Sequence, residues 1–205
     1  MPESAPPLFG LVLIGGGSTR MGQDKAFLAY HDLEEWERVR HCISPLVDQT
    51  YISLRSDQAE DKRFENELCI PDHWDNIGPM NGIASAMQSH PQAAYLVVPC
   101  DMPGLDEATV RSIINQRDIQ CHATVYENDQ GKLEPLCAIY EPIVQQALVE
   151  SIAKKKFSLN RCLHEWSIQR VSMNSNMSTL NNINTPEESQ RFRKHLLTPI
   201  KEDAI

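Results

Sequence analysis

Residues 8–25, Leu-Phe-Gly-Leu-Val-Leu-Ile-Gly-Gly-Gly-Ser-Thr-Arg-Met-Gly-Gln-Asp-Lys, decide the fold of this chain. A short apolar run that stops at a cluster of glycines reads as a buried strand ending in a loop. Gly15, Gly16 and Gly17 carry no side chains, so their backbone N–H groups can approach an anion closely. Arg20 and Lys25 follow with two cations; Arg grips phosphate bidentately and Lys acts as a mobile point charge. The combination suits a nucleoside triphosphate. It is neither common nucleotide signature: Gln23-Asp24 stands where a P-loop needs Lys-Ser/Thr, and Arg20 occupies the last glycine of a dinucleotide fingerprint. The alternative is a glycine-rich strand-to-helix turn with surface cations.

Downstream, strand-like and helix-like runs alternate. Trp36, Val39, Ile43 and Val47 recur at helical spacing and predict a helix over about 33–46. Residues 49–54 alternate as a strand, 55–66 are polar and loop-like, and 67–71 form a short strand stopped by Pro71. Met80, Ile83, Ala84 and Met87 mark one face of a second helix. Ala94-Tyr95-Leu96-Val97-Val98 is apolar without alternation, as expected of a strand covered on both faces. Val110, Ile113 and Ile114 lie on a further helix, 122–126 and 135–140 read as strands, and Ile143, Ala147, Leu148 and Ile152 follow on a helix. This order predicts an α/β fold, a three-layer αβα sandwich around a mostly parallel, Rossmann-like sheet. Ligands of such sheets gather at the carboxyl ends of the strands. A single domain is expected over 8–197, with flexible termini at 1–7 and 198–205.

Composition sets bounds. The 205 residues carry a net charge of −9, which speaks against general nucleic-acid binding but not against one polyphosphate held by a local basic loop. No apolar stretch approaches the length of a membrane span, and no leader is legible, so no membrane partner is expected. Six cysteines with no C-x-x-C pair read as reduced, buried thiols of a cytoplasmic protein. The seven histidines show no metal-binding spacing. Lys154-Lys155-Lys156 reads as a solvated helix end.

With the glycine loop as the first, four further clusters, the second to the fifth, carry candidate chemistry. Val98-Pro99-Cys100-Asp101-Met102-Pro103 puts a carboxylate at the end of the strongest strand. Facing a triphosphate, Asp101 is a natural Mg²⁺ ligand, because Mg²⁺ takes one or two carboxylates plus phosphates and waters. The alternative for Asp101 is a turn or cap residue; Asp106 is the better cap for the next helix. In Ile77-Gly78-Pro79-Met80-Asn81-Gly82-Ile83, Gly78 lets backbone approach a flat ring and Pro79 suits a first helical position. In the fourth, Leu180 to Glu188, Thr185 and Glu188 make a capping box with Pro186 at the first helical position, which leaves Asn182 and Asn184 unexplained. The fifth is Glu134-Pro135-Leu136-Cys137-Ala138-Ile139-Tyr140.

Taken in order, these segments resemble the molybdenum cofactor guanylyltransferases, MobA-like NTP transferases. The loop is similar to that family's L-A-G-G-x-S-x-R-M-G-x-x-K, Asp101 to its C-D-x-P aspartate, residues 77–83 to G-P-L-x-G-I, 134–140 to x-P-L-x-A-L-Y, and 182–188 to N-x-N-T-P-E-[ED]. The resemblance implies the fold of the nucleotide-diphospho-sugar transferases and an Mg²⁺-dependent nucleotidyltransferase. It implies transfer of GMP from GTP to molybdopterin bearing molybdenum, with pyrophosphate released. Arg20, Lys25 and Asp101 are then the catalytic residues. Leu13, Ile14, Gly15, Gly16, Gly17, Lys25, Asp72, Gly78 and Asp101 bind nucleotide, Asn182 and Asn184 the acceptor, and Asp101 the metal. Transient contact with cofactor-assembly proteins is implied as well. The alternatives are a cytidylyl- or other nucleotidyltransferase with a different phosphorylated acceptor, and a non-catalytic nucleotide-binding partner in cofactor assembly. Two departures stand out: Ile14 replaces the family's alanine, and Tyr30 to Trp36 lacks the G-K-P-L turn, carrying acidic residues instead.

Overall fold

A computed structural model describes residues 4–14, 25–30, 32–173, 180, 183, 187–188 and 190–192, the side chain of Lys25 excepted. Among the described residues the sheet has seven strands: β1 (Leu8–Leu13), β2 (Gln49–Leu54), β3 (Cys69–Pro71), β4 (Ala94–Pro99), β5 (Ala123–Glu127), β6 (Leu133–Tyr140) and β7 (Ile168–Ser172). Their order is β3-β2-β1-β4-β6-β5-β7, and only β6 runs against its neighbours. The helices are α1 (Glu35–Ile43), α2 (Met80–Ser89), α3 (Glu107–Asn115), α4 (Val144–Ala153) and α5 (Leu159–Glu165).

Side-chain alternation splits the core in two. Leu8 and Val12 of β1 and Leu96 and Val98 of β4 meet Trp36, Val39 and Ile43 of α1 and Val110 and Ile113 of α3 on one face. Leu11, Tyr95 and Val97 meet Met80, Ile83 and Met87 of α2, Val144 and Leu148 of α4 and Leu163 of α5 on the other. All six residues of β4 are buried, which is why that strand reads as an unbroken apolar run. The expected three-layer α/β architecture is therefore present.

Several boundaries shift. The helix expected over 33–46 is α-helical only for Glu35–Ile43 and tightens into a 3₁₀ turn at Ser44–Leu46, around Pro45. The polar stretch 55–66 holds two 3₁₀ turns, Ser56–Gln58 and Lys62–Phe64. Pro79 takes the N-cap position, one residue earlier than expected. Asp106 caps α3 as expected, its carboxylate accepting from Thr109 N at 2.8 Å. Cys100, Cys137 and Cys162 are buried free thiols, whereas Cys42, Cys69 and Cys121 are only half-buried, a correction to the uniform burial expected.

Candidate active site

The register of the central strands lines up the predicted residues. Leu13 pairs with Ser53 of β2 on one side and Pro99 of β4 on the other, and Leu54 pairs with Pro71 of β3. Just beyond these pairs, Ile14 N donates to Ser53 O, Asp72 N to Leu54 O and Cys100 N to Leu13 O. Ile14, Asp72 and Asp101 therefore emerge at one edge of the sheet. The chain turns from β1 to β2 on one side and places β4 on the other, so this edge is the topological switch point where an open α/β sheet leaves a crevice. Asp72 and Asp101 sit three strand spacings apart, roughly 14 Å. That is a span suited to an extended nucleotide.

Next to β3 lies a cleft of about 520 Å³ lined by Arg55, Asp72, Trp74, Ile77, Gly78 and Asn81, among others. Asp72 and Gly78, expected at the nucleotide, thus share one wall. Gly78 has φ +64°, a left-handed conformation that glycine adopts without strain. Ser53 donates its hydroxyl to Asp72 Oδ1 at 2.9 Å. Burial pushes the Asp72 carboxyl above the usual range, opposed by that hydroxyl and by the charges of Arg55 and His73. His73 itself is exposed and meets Gln88.

Asn81, on the first turn of α2, shapes this wall. Its Oδ1 accepts from His73 N and Trp74 N, each at 3.1 Å, and its Nδ2 donates to Trp74 O. One buried amide therefore satisfies three backbone groups of the 72–78 loop. Arg55 and Trp74 belong to no motif quoted above, and Asn81 falls inside the quoted 77–83 segment, which gave it no role. An asparagine in a helix's first turn, where its side chain competes for backbone partners, is the one local signal that could have flagged Asn81. Gly82 lets α2 lie against the strands. A Cβ there would fall 2.6 Å from Leu13 Cδ2 and within 3.2 Å of Ser53 Cβ. The G-P-x-x-G-I segment thus serves packing as well as backbone approach.

The side chain of Ile14 is buried, 1% exposed, within the α1–α3 half of the core. Only its backbone can face a ligand, so the departure from alanine is absorbed by packing. Leu13 is half-buried and reaches toward Gly82.

Asp101 is half-buried just past β4, with Oδ1 shielded from solvent. Its carbonyl accepts from Ile183 N at 2.9 Å. Glu134, in β6, reaches the same edge because that strand runs back toward it. Burial raises the Glu134 carboxyl above the usual range; the Leu136 N–H and Lys132 lower it, and the Asp101 charge raises it further. Glu134 and Asp101 are thus two carboxylates that repel one another at one strand-end edge. Among the described residues no three His, Cys, Asp or Glu side chains are grouped to hold a metal. β6 also carries an irregularity: Cys137 is buried at φ +69°, and the β5–β6 register shifts between Thr124 and Tyr126, as at a bulge.

Gly15, Gly16, Gly17, Arg20, Asn182, Asn184, Thr185 and Pro186 lie outside the described residues, as does the side chain of Lys25.

The MobA-like NTP transferase domain matches residues 10–169. The chain belongs to the MobA-like NTP transferase family. Among curated relatives of this NTP transferase, the molybdenum cofactor biosynthesis bifunctional protein of Synechocystis sp. is 33% identical over 186 residues; the match covers 90% of this chain and 53% of that protein. The chain therefore spans about half the length of that relative. The molybdenum cofactor guanylyltransferase of Pseudomonas putida is 25% identical over 191 residues, covering 93% of this chain and all of that one. Among solved structures, the molybdopterin-guanine dinucleotide biosynthesis protein A of Archaeoglobus fulgidus superposes with a TM-score of 0.77 at 22% identity, covering 92% of this chain and 98% of that chain, which shows the shared fold. Nucleotidyl transfer is thus the chemistry of the family in which the strand-end edge described above is found.

Proposed function

We propose that this nucleotidyltransferase moves GMP from GTP to a molybdopterin-type acceptor with Mg²⁺, in the cytoplasm, and that residues 8–197 act as one domain. The observation that carries the reading is the bond from Ile183 N to the Asp101 carbonyl. Ile183 stands between Asn182 and Asn184 in the sequence, so this bond supports a reading in which acceptor and triphosphate meet beside Asp101.

In the proposed reaction an acceptor phosphate oxygen attacks the α-phosphorus of GTP. A new P–O bond forms, the bond to the β-phosphate breaks, and pyrophosphate leaves. The acceptor phosphate is already ionised, so no protein base is required. Catalysis rests on positioning and charge neutralisation. Gly15 to Gly17, Arg20 and Lys25 hold the phosphates. Asp101, supported by Glu134, would hold Mg²⁺, which neutralises charge on the transferring and departing phosphates. The base occupies the cleft between Arg55, Trp74 and Gly78, whose volume lies in the usual range for small-molecule sites. Guanine alone among the four bases offers adjacent N1–H and N2–H donors that one carboxylate accepts together. Asp57, Asp72 and Asp75 line the cleft and favour it on that ground.

Calorimetric binding of GTP, CTP, ATP and UTP with Mg²⁺ to wild type and Asp101→Ala tests this. GTP preference that weakens in the variant is expected. CTP preference would replace GMP by CMP transfer. Binding of a triphosphate with no pyrophosphate released in the presence of acceptor would indicate a non-catalytic partner.

A further inference from the structure

The stretch that lacks the family's G-K-P-L turn opens α1, and the structure gives its acidic residues a specific place. Glu35 is the first residue of α1 and its side chain is fully buried. Both of its carboxylate oxygens accept from Arg38 Nε at 3.1 Å. Arg38 is spent beyond that pair: Nη1 donates to Leu105 O at 2.9 Å and Nη2 to Met102 O at 2.8 Å. These two carbonyls belong to the turn that follows Asp101, itself closed by Leu105 N donating to Met102 O at 3.0 Å. On the other side, Glu35 N donates to Leu28 O at 2.9 Å, directly after the 3₁₀ turn Lys25–Phe27.

From this juxtaposition we propose that Glu35 and Arg38 form a positioning pair that fixes the backbone carrying Lys25 relative to the backbone carrying Asp101. A guanidinium is the group suited to this, because its planar fork serves a carboxylate and two carbonyls at once in one rigid plane. The buried Glu35 carboxylate supplies the compensating charge that keeps Arg38 half-buried, 15% exposed, and oriented. Glu35 and Arg38 thus make an ion-paired helix start whose guanidinium grips the aspartate loop. The proposal rests on the reading of Lys25 and Asp101 as phosphate and metal residues.

The test uses Arg38→Met, which keeps the stem but no donors, and Arg38→Lys, which keeps the charge but not the fork. Titration of Mn²⁺ in the presence of GTP, followed by the spectroscopic signal of the free ion, should show at least tenfold weaker metal binding in Arg38→Met and an intermediate loss in Arg38→Lys. Amide hydrogen exchange of the ligand-free protein should accelerate at Leu105 and at Glu35 in both. In turnover, kcat should fall while KM for GTP stays within about twofold. In an Asp101→Asn background, Arg38→Met should add nothing to the loss of metal binding, because its effect runs through Asp101. Wild-type Mn²⁺ affinity in both Arg38 variants, or the same loss in the Asp101→Asn background as in wild type, overturns the proposal alone. A wild-type protein that binds no Mn²⁺ with any triphosphate overturns the metal reading, and the pair's proposed purpose falls with it.

Discussion

Replacing Gly82 by Ala should weaken the protein and its nucleotide site together. In an ordinary helix interior this change stabilises by up to about 1 kcal/mol, because alanine has the higher helix propensity. Here the added Cβ would lie 2.6 Å from Leu13 Cδ2, with Ser53 Oγ closer still and Ser53 Cβ at 3.2 Å. The leucine tip can turn away, but the serine hydroxyl can do so only by leaving Asp72, to which it donates at 2.9 Å. Otherwise α2 must lift from β1 and β2. Overpacking of this kind costs about 1–3 kcal/mol, and two contacts under 3.0 Å put it at the upper end, about 2–3 kcal/mol, so the propensity gain leaves a net loss of about 1–2 kcal/mol. At this chain length that lowers the melting temperature by roughly 2–8 °C. Because Leu13, Ser53 and Asp72 all lie at the candidate nucleotide edge, GTP affinity should fall at least tenfold. Denaturant unfolding and calorimetry read the two effects. A Gly82→Ala protein as stable as wild type or more so, with unchanged nucleotide affinity, would refute the packing argument, since the sign of the stability change separates the two accounts.

Gly78→Ala should behave differently: nothing lies within 4 Å of its added Cβ, so only the φ of +64° resists, at about 1–2 kcal/mol; thermal unfolding checks this. Asn81→Ala should leave the Trp74 N–H and carbonyl without their side-chain partner, while His73 N keeps Ser85 Oγ at 3.0 Å, costing about 1–3 kcal/mol and loosening the 72–78 loop, read as faster amide exchange at Trp74 than at His73. Asp72 has a raised carboxyl, so the folded state binds its proton more tightly than the unfolded state does. Its contribution to stability is therefore present at acid pH and is lost as pH rises from the ordinary carboxylate range through the raised value. Asp72→Asn should be more stable than wild type at neutral pH, lose that advantage in acid, and bind GTP more weakly; unfolding curves at several pH values measure it.

The sheet's centre was legible because β1 and β4 are apolar runs buried on both faces, and burial of that kind leaves its mark in composition. The direction of β6 was not, because strand polarity is set by a connection rather than by the strand itself. Here the connection is the tight turn Asn128–Lys132, where Asn128 Oδ1 accepts from Gln130 N and Lys132 N and Gly131 takes φ +76°. Such a short link forces an antiparallel neighbour. β7 and α5 escaped notice for another reason: β7 buries only Val171 fully and α5 has seven residues, so neither shows a readable period. At the site, motifs pointed to Asp72, Gly78 and Asp101, whose backbone neighbours the register then brought to one edge. Arg38 and Glu134 act through partners far along the chain, and spacing in sequence carries no trace of such partners; Asn81 holds a loop only seven and eight residues back, but its role depends on how α2 packs against that loop.

The most direct test of the account is one turnover measurement: α-labelled GTP, Mg²⁺ and a molybdopterin acceptor mixed with wild type and with Asp101→Asn, following label and pyrophosphate together. The account predicts label in a dinucleotide product with one pyrophosphate released per product, and a loss of at least a hundredfold in the variant, which corresponds to about 2.7 kcal/mol of transition-state stabilisation. Full, Mg²⁺-dependent turnover by Asp101→Asn, or no labelled product from wild type, would contradict it.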